Sequence, residues 1–354
     1  MCAAASCSNL AVQLMKQKKA AAVLYHYPCP DGAFAALAAH IYFSATSTPA
    51  LFFPNTVYSP ISAEQLPLSE IEDIYLLDFV GSPGFVQQIS PRVHRVVVLD
   101  HHKTACEMLG PKTSSIIGEN VFLVIDMERS GATVAYDFFK DKLLRNADVS
   151  DSCKFALREF ERVKPLIDYV EDGDLWKWRL ENSKAFSSGL KDLNIEYNIR
   201  SNPNLFQQLC ALELESVINE GMLSLSNKQK LINEVLEQSY KLALGGGAFG
   251  HCLAVNADSV FELRSDLGHQ LANKSRQMNL RGIGAVAYKV SELETDSILK
   301  ISLRSVDGED TTPISQATCT VSQAFGGGGH QNASSFMLST TDFERWKRSA
   351  WTLT

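Results

Sequence analysis

Arg95-Val96-Val97-Val98-Leu99-Asp100-His101-His102 decides how the chain is read. Four consecutive apolar residues, three of them β-branched, have the length and composition of a strand buried on both faces. The run stops on one acid and two histidines. The same grammar occurs three more times. Ala20 to Tyr25 runs into His26 and a loop stiffened by Pro28 and Pro30, Ile74 to Leu77 ends at Asp78, and Val121 to Ile125 ends at Asp126. Helical patterns follow at Gly32 to Phe43 and Gly131 to Leu144, and strands alternating with helices predict a mostly parallel sheet. In open parallel sheets ligands bind just outside the carboxyl ends of the strands, so these polar residues are expected to converge on one edge. An Asp after a strand also caps the following helix, which is the competing reading for each acid taken singly.

Further along, Lys154 to Val170 and Leu205 to Leu244 read as helices, the second interrupted near Gly221 and Ser224 to Asn227. Gly245-Gly246-Gly247 reads as a flexible joint. Beyond it, a strand around Cys252 to Val255, a helix from Ser265 to Gln277, strands at Gly284 to Lys289 and Ile298 to Leu303, and a glycine turn from Gly326 to Gly329 predict a smaller mixed α/β domain. The expected division is an extension over 1–19, a catalytic domain over 20–225, a helical linker over 226–247, a substrate-binding domain over 248–342 and a tail over 343–354. At 354 residues the chain exceeds what one core sustains, which agrees with two domains.

A net charge of −7 argues against a broad basic surface for long nucleic acid, so an anionic substrate is expected to be met locally. No apolar run approaches the ~20 residues needed to span a bilayer, and no membrane partner is expected. Eight cysteines without a C-x-x-C pair fit free thiols in a reducing compartment. The first nineteen residues lack the order of a secretory signal. The cytoplasm is therefore expected, an organelle also being compatible, and a homodimer is allowed.

The candidate chemistry lies at the strand ends. Neutral imidazole is a ready ligand for a divalent ion, and a neighbouring carboxylate such as Asp100 fixes which ring nitrogen faces it. His26, Cys29 and Asp31 occupy the Pro-stiffened loop, and Asp172 and Asp174 sit near a helix carboxyl end, where acids oppose the helix dipole unless a cation is nearby. Several carboxylates brought together repel unless metal bridges them. Oxygen and imidazole donors suit Mn²⁺ or Mg²⁺, and two ions are expected. His40, His94, His251 and His269 read as packing or surface residues. Trp176 and Trp178 could stack on a base, but core packing is the favoured reading for both.

The order His26, Asp31-Gly32, Asp78, Asp100-His101-His102 and Asp172 or Asp174, followed by Gly327-Gly328-Gly329-His330, resembles the DHH phosphoesterases with their C-terminal DHH-associated domain, over residues 20 to 340. The resemblance implies that His26, Asp31, Asp78, His101 and one acid of the Asp172/Asp174 pair ligate metal, with Asp78 bridging two ions and Asp172 slightly favoured. It further implies that Asp100 orients the imidazoles and that His102 meets the substrate phosphate or supports its neighbour. Arg304, Ser305, the three glycines and His330 are then expected to grip its far end. One departure stands out: the family usually has an aspartate where Cys29 stands, so that ligand is a softer thiolate or the adjacent site is weakened.

The expected activity is hydrolysis of phosphodiesters in short oligonucleotides or small nucleotides by metal-activated water, with substrate held between the two domains. Two alternatives remain open at this point. One is action on inorganic polyphosphate or pyrophosphate, and the other is a non-catalytic nucleotide-binding descendant with an altered metal site.

Overall fold

A computed structural model describes residues 19–110, 118–145, 150–290, 297–306, 318–330 and 332–350. They form two compact units that divide between Ser224 and Leu225. The first unit holds a five-stranded, all-parallel sheet of β1 (Ala20–His26), β2 (Ala50–Asn55), β3 (Ile71–Leu77), β4 (Arg95–Asp100) and β5 (Val121–Ile125), in the order β2-β1-β3-β4-β5. β2 was not legible in the sequence. It contains Pro54, which lacks the amide a central strand needs, and its position at the sheet edge accommodates that loss.

Alternation along the strands builds two cores. Val23, Tyr25, Tyr75, Leu77, Val97 and Leu99 face one layer, which includes α1 (Pro30–Ala45), α4 (Gly131–Arg145) and α5 (Asp151–Asp174). Ala22, Leu24, Ile74, Leu76, Val96 and Val98 face the other, with α2 (Phe85–Ile89) and α3 (Lys103–Leu109). α1 is buried almost all round, from Asp31 to Ala39 and again from Ile41 to Phe43, so it is a central helix and not an amphipathic cover. The carboxyl ends of the adjacent parallel strands β1, β3 and β4 lie side by side at one rim of the sheet.

Beyond α5 come α6 (Ser183–Asp192), α7 (Leu205–Cys210) and α8 (Leu214–Glu237). α8 runs unbroken where the sequence predicts an interruption. Gly221 does not end the helix; it admits a neighbour. A Cβ there would stand 1.8 Å from the Ala185 carbonyl oxygen, and one on Gly189 would stand 2.0 Å from that of Val217, so the two glycines let α6 and α8 touch along their backbones.

The second unit carries a six-stranded mixed sheet in the order β10-β11-β9-β8-β7-β6. It is formed by β6 (Tyr240–Ala243), β7 (His251–Asn256), β8 (Ile283–Lys289), β9 (Ile298–Ser305), β10 (Gly328–His330) and β11 (Ala333–Ser339), with α9 (Arg264–Gln277), α10 (Thr318–Ala324) and α11 (Thr340–Ser349). Gly245-Gly246-Gly247 is not a joint between domains. Its three residues have φ of 61°, 70° and 105° and turn the chain from β6 into antiparallel β7 inside this sheet. Residues 343–350 are likewise no tail, because α11 buries Phe343 and Trp346 against the sheet of the second unit. Among the described residues no helix is long and apolar enough to cross a membrane.

Candidate metal centre

The ends of β1, β3 and β4 bring together most of the predicted ligands. Their donor atoms form three groups, His26/Cys29/Asp78, Asp78/His101/His102 and Asp31/His101/Asp174, each with all atoms within 4.8 Å of one another. Asp78 and His101 each belong to two groups and so join the three into one cluster. His26 Nδ1 lies 3.0 Å from Asp78 Oδ2 and His101 Nε2 lies 3.1 Å from Asp78 Oδ1. Asp31 Oδ2 and Asp174 Oδ2 each stand 3.7 Å from His101 Nε2.

The local chain conformation explains these positions. Asp78 follows β3 in the left-handed region, with φ of 63°, and its amide donates to the Leu99 carbonyl at 2.9 Å. Such backbone is costly for a residue with a Cβ and is concentrated at functional sites. Asp31 is pinned by the start of α4, where the Gly131 and Ala132 amides donate to its two oxygens at 2.7 and 3.0 Å. Gly131, which borders the cluster, was not singled out by the motif reading. A Cβ on it would stand 2.7 Å from Asp78 Cβ and 2.9 Å from Asp31 Oδ2, so only glycine leaves these two acids room. A glycine opening a predicted helix after a strand was the available signal.

Asp100 does not join the cluster directly. Its Oδ1 accepts from the amides of His101 and His102 at 2.7 and 3.0 Å and meets His102 Nδ1 at 2.8 Å, which leaves the other ring nitrogen of the half-exposed His102 facing outward. Of the two neighbouring acids, the structure brings Asp174 to the cluster and turns Asp172, which the sequence reading favours, away from it. The Asp172 oxygens accept from the Arg179 and Leu180 amides at 3.0 and 3.2 Å. Asp126 also stays out: its Oδ1 accepts from the Glu128 amide at 3.0 Å, as a turn-capping acid does.

Charge in the cluster is unbalanced. Burial, then the charges of Asp78 and Asp174, push the Asp31 carboxyl well above the usual range. Burial and Asp78 raise Asp174 as well. Burial would also raise Asp78, but the imidazoles of His101 and His26 outweigh it and hold the group low. Burial opposes the charging of His101, yet Asp78 and Asp31 overcome it and lift the imidazole to about 9. His101 is thus the group that offsets the charge of Asp78, Asp31 and Asp174. Cys29 is pushed up to about 12 by burial and by Asp78 and Asp31, so its sulfur is a thiol unless a metal ion takes the proton's place. Asp78 Oδ1 and Asp100 Oδ2 are buried without a hydrogen-bond partner. Buried carboxylate oxygens are rarely left so, and the donor set fits a divalent ion at Asp78.

The remaining predicted residues belong to the second unit. Arg304 and Ser305 end β9, with Arg304 in register with Ala333 of β11, and His330 of β10 pairs with the same Ala333. Arg304 and His330 therefore flank β11, two strand spacings or about 10 Å apart. Gly328 and Gly329 are strand residues in an edge ladder and not a free loop, and Gly327 donates its amide to the Ser322 carbonyl at 2.8 Å. Ser305 Oγ binds Asn332 Oδ1 at 3.2 Å. The tryptophans diverge from expectation: Trp178 is partly covered, whereas Trp176 is 78% exposed and packs in no core. His40 is a packing residue, stacked on Phe206 at 4.4 Å between ring centroids.

No family model matches the chain. An uncharacterized protein, R106, of Acanthamoeba polyphaga mimivirus is 22% identical over 327 residues, which are 90% of this chain and 67% of that protein. Among solved structures, a pGpG-specific phosphodiesterase, PggH, from Vibrio cholerae is similar at 10% identity and a TM-score of 0.42, covering 94% of this chain and 97% of the other. RecJ in complex with Mg²⁺, from Thermus thermophilus, is similar at 13% identity and a TM-score of 0.35, covering 98% of this chain and 51% of the other.

Proposed function

We propose that this chain is a metal-dependent phosphoesterase of the DHH type that hydrolyses phosphodiester bonds in short oligonucleotides or small nucleotides. The observation that carries the reading is Asp78. It is buried, strained in its backbone, shared between two groups of potential ligands, and keeps at their centre one oxygen that pairs with the His101 imidazole but makes no well-aligned hydrogen bond. In this reading His26, Cys29, Asp31, Asp78, His101 and Asp174 hold one or two Mn²⁺ or Mg²⁺ ions, which supply Lewis acidity and an activated water.

The chain's own residues do the rest. Asp31 is immobilised by two helix-terminal amides, and Gly131 keeps the space between it and Asp78 clear. Asp100 accepts from His102 Nδ1 and favours the charged ring, and in that protonated form the other nitrogen donates to a phosphate oxygen. Beside His26 and His102 opens a cleft of about 440 Å³ whose walls include Val57, Phe79, Val80 and Met108 and, among the described residues, no lysine or arginine. Polyphosphate calls for a continuous basic track, whereas a nucleoside accepts such an apolar wall, and this favours the nucleotide reading.

The test is product release from dinucleotides, short oligonucleotides, cyclic dinucleotides and polyphosphate with Mn²⁺, Mg²⁺ or chelator. Metal-dependent cleavage of a nucleotide substrate is expected. Preference for polyphosphate would replace the substrate, and inertness of the folded protein toward every compound would leave the non-catalytic reading.

A further inference from the structure

Two residues beyond Asp174 the chain does something that metal ligation does not require. Trp176 and Trp178 both adopt left-handed backbone, with φ of 53° and 49°. That region costs a residue with a side chain about 1–2 kcal/mol, and two such residues in one short turn need a device to hold them. Asp172 is that device. Its carbonyl accepts from the Lys177 and Trp178 amides at 2.9 and 3.4 Å, and its carboxylate accepts from those of Arg179 and Leu180. Lys177 adds a further tie, its Nζ reaching the Glu128 carbonyl at 2.9 Å and Glu171 at 3.3 Å.

The outcome of this clamping is an exposed ring. Trp178 packs edge-on against Trp176 at 5.6 Å between centroids, while Trp176 remains 78% exposed. On a turn held by these hydrogen bonds Trp176 leaves most of its apolar ring in water, so the burial it forgoes is available to a ligand. The turn begins at a cluster ligand, and two residues span at most about 7 Å. Arg179, in the same turn, is exposed and makes no ion pair among the described residues.

We propose that Trp176 is a stacking platform for a nucleobase of the substrate whose phosphate meets the metal centre, and that Asp172 is the positioning residue that presents it. The inference rests on the phosphoesterase reading above and deepens it: the substrate must carry a base, and the exposed ring, not hydrogen bonds to one base, selects it. A π-face accepts every base, so little preference among the four is expected.

The decisive comparison is an adenine dinucleotide against the same sugar–phosphate compound lacking bases, with Mn²⁺. Native protein is expected to favour the dinucleotide, and Trp176→Ala to raise its KM roughly five- to hundredfold while the preference over the abasic compound collapses. Trp176→Tyr should restore most of it, and Asp172→Ala should weaken the preference while Mn²⁺ binding persists. A Trp176→Ala protein that keeps the full preference overturns the platform and leaves the phosphoesterase reading standing. If native protein hydrolyses neither compound, that reading fails, and tryptophan fluorescence on titration with adenosine monophosphate decides the platform separately. Quenching lost in Trp176→Ala supports it, and no quenching in native protein ends it.

Discussion

Asp78 Oδ1 and His101 Nε2 stand 3.1 Å apart at the meeting point of strands β3 and β4, an ion pair too poorly aligned to count as a hydrogen bond for the buried carboxylate oxygen. Two neighbouring parallel strands thus deliver an acid and an imidazole to the same point, one residue past the end of each strand. The arrangement is under electrostatic tension without a cation, and that tension has measurable consequences.

Stability of the metal-free protein should fall as pH rises from about 6 to 9. His101 is lifted to about 9 from an ordinary value near 6.5, so the folded state holds its proton more tightly. Its stabilisation is complete below about 6.5 and is lost as pH climbs through 9. Asp31 and Asp174 are raised too and act in the same direction from the carboxylate range upward. Thermal melts of chelated protein across this range, repeated with Mn²⁺, should show the loss and its reversal by the ion. A flat profile in chelator would contradict the charge balance described.

Asp174→Asn should separate the two acids of the α5 terminus. Removing one repelling charge is expected to leave the chelated protein as stable as native or slightly more so, and to weaken Mn²⁺ binding at least tenfold. Asp172→Ala, by contrast, strips the partner from two backbone amides and should cost about 1–3 kcal/mol of stability while Mn²⁺ affinity holds. Calorimetric titration of both variants checks this, and the reverse pattern would show that Asp172 is the ligand.

Gly131→Ala tests the cradle. The added methyl would stand 2.7–2.9 Å from atoms of Asp78 and Asp31, closer than any Cβ is normally found. Overpacking of this kind typically costs about 1–3 kcal/mol, and here the displaced atoms are the ligands themselves. Metal affinity and turnover should fall much further than stability, as a melt and a Mn²⁺ titration on the same preparation would reveal.

Cys29→Asp should harden the site at His26. A carboxylate in place of a thiol that burial holds at about 12 no longer has to release a tightly held proton. Selectivity is expected to move from thiophilic ions such as Cd²⁺ toward Mn²⁺ and Mg²⁺. Unchanged relative affinities in competition titrations would show that the sulfur takes no part.

Much of this was legible because β1, β3 and β4 are central strands, whose apolar runs must stop where the sheet ends. His26, Asp78 and His101 sit at those stops. Asp126 obeys the same pattern and still misses the site, since β5 is an edge strand one spacing further out and its end closes a turn. The choice between Asp172 and Asp174 was not legible for a different reason. Residues two apart on a helix point about 200° apart, so only one can face the cluster, and the rotation of α5 is set by tertiary packing. Glycines were ambiguous in kind: Gly221 reads as a break and serves a helix contact, while Gly245 to Gly247 read as a hinge and form a hairpin turn. Exposure of Trp176 depends on backbone held by Asp172, for which a sequence carries no local signal.

The most direct test of the central claim is Mn²⁺-dependent hydrolysis of a dinucleotide by native protein beside Asp78→Asn, a near-isosteric change that removes the charge shared between the ligand groups. The account predicts turnover that chelator abolishes and Mn²⁺ restores, and a loss of about a thousandfold or more in the variant, of the order seen when a central catalytic group is removed. Turnover in Asp78→Asn equal to native, with the same metal dependence, would place the chemistry elsewhere and contradict the account.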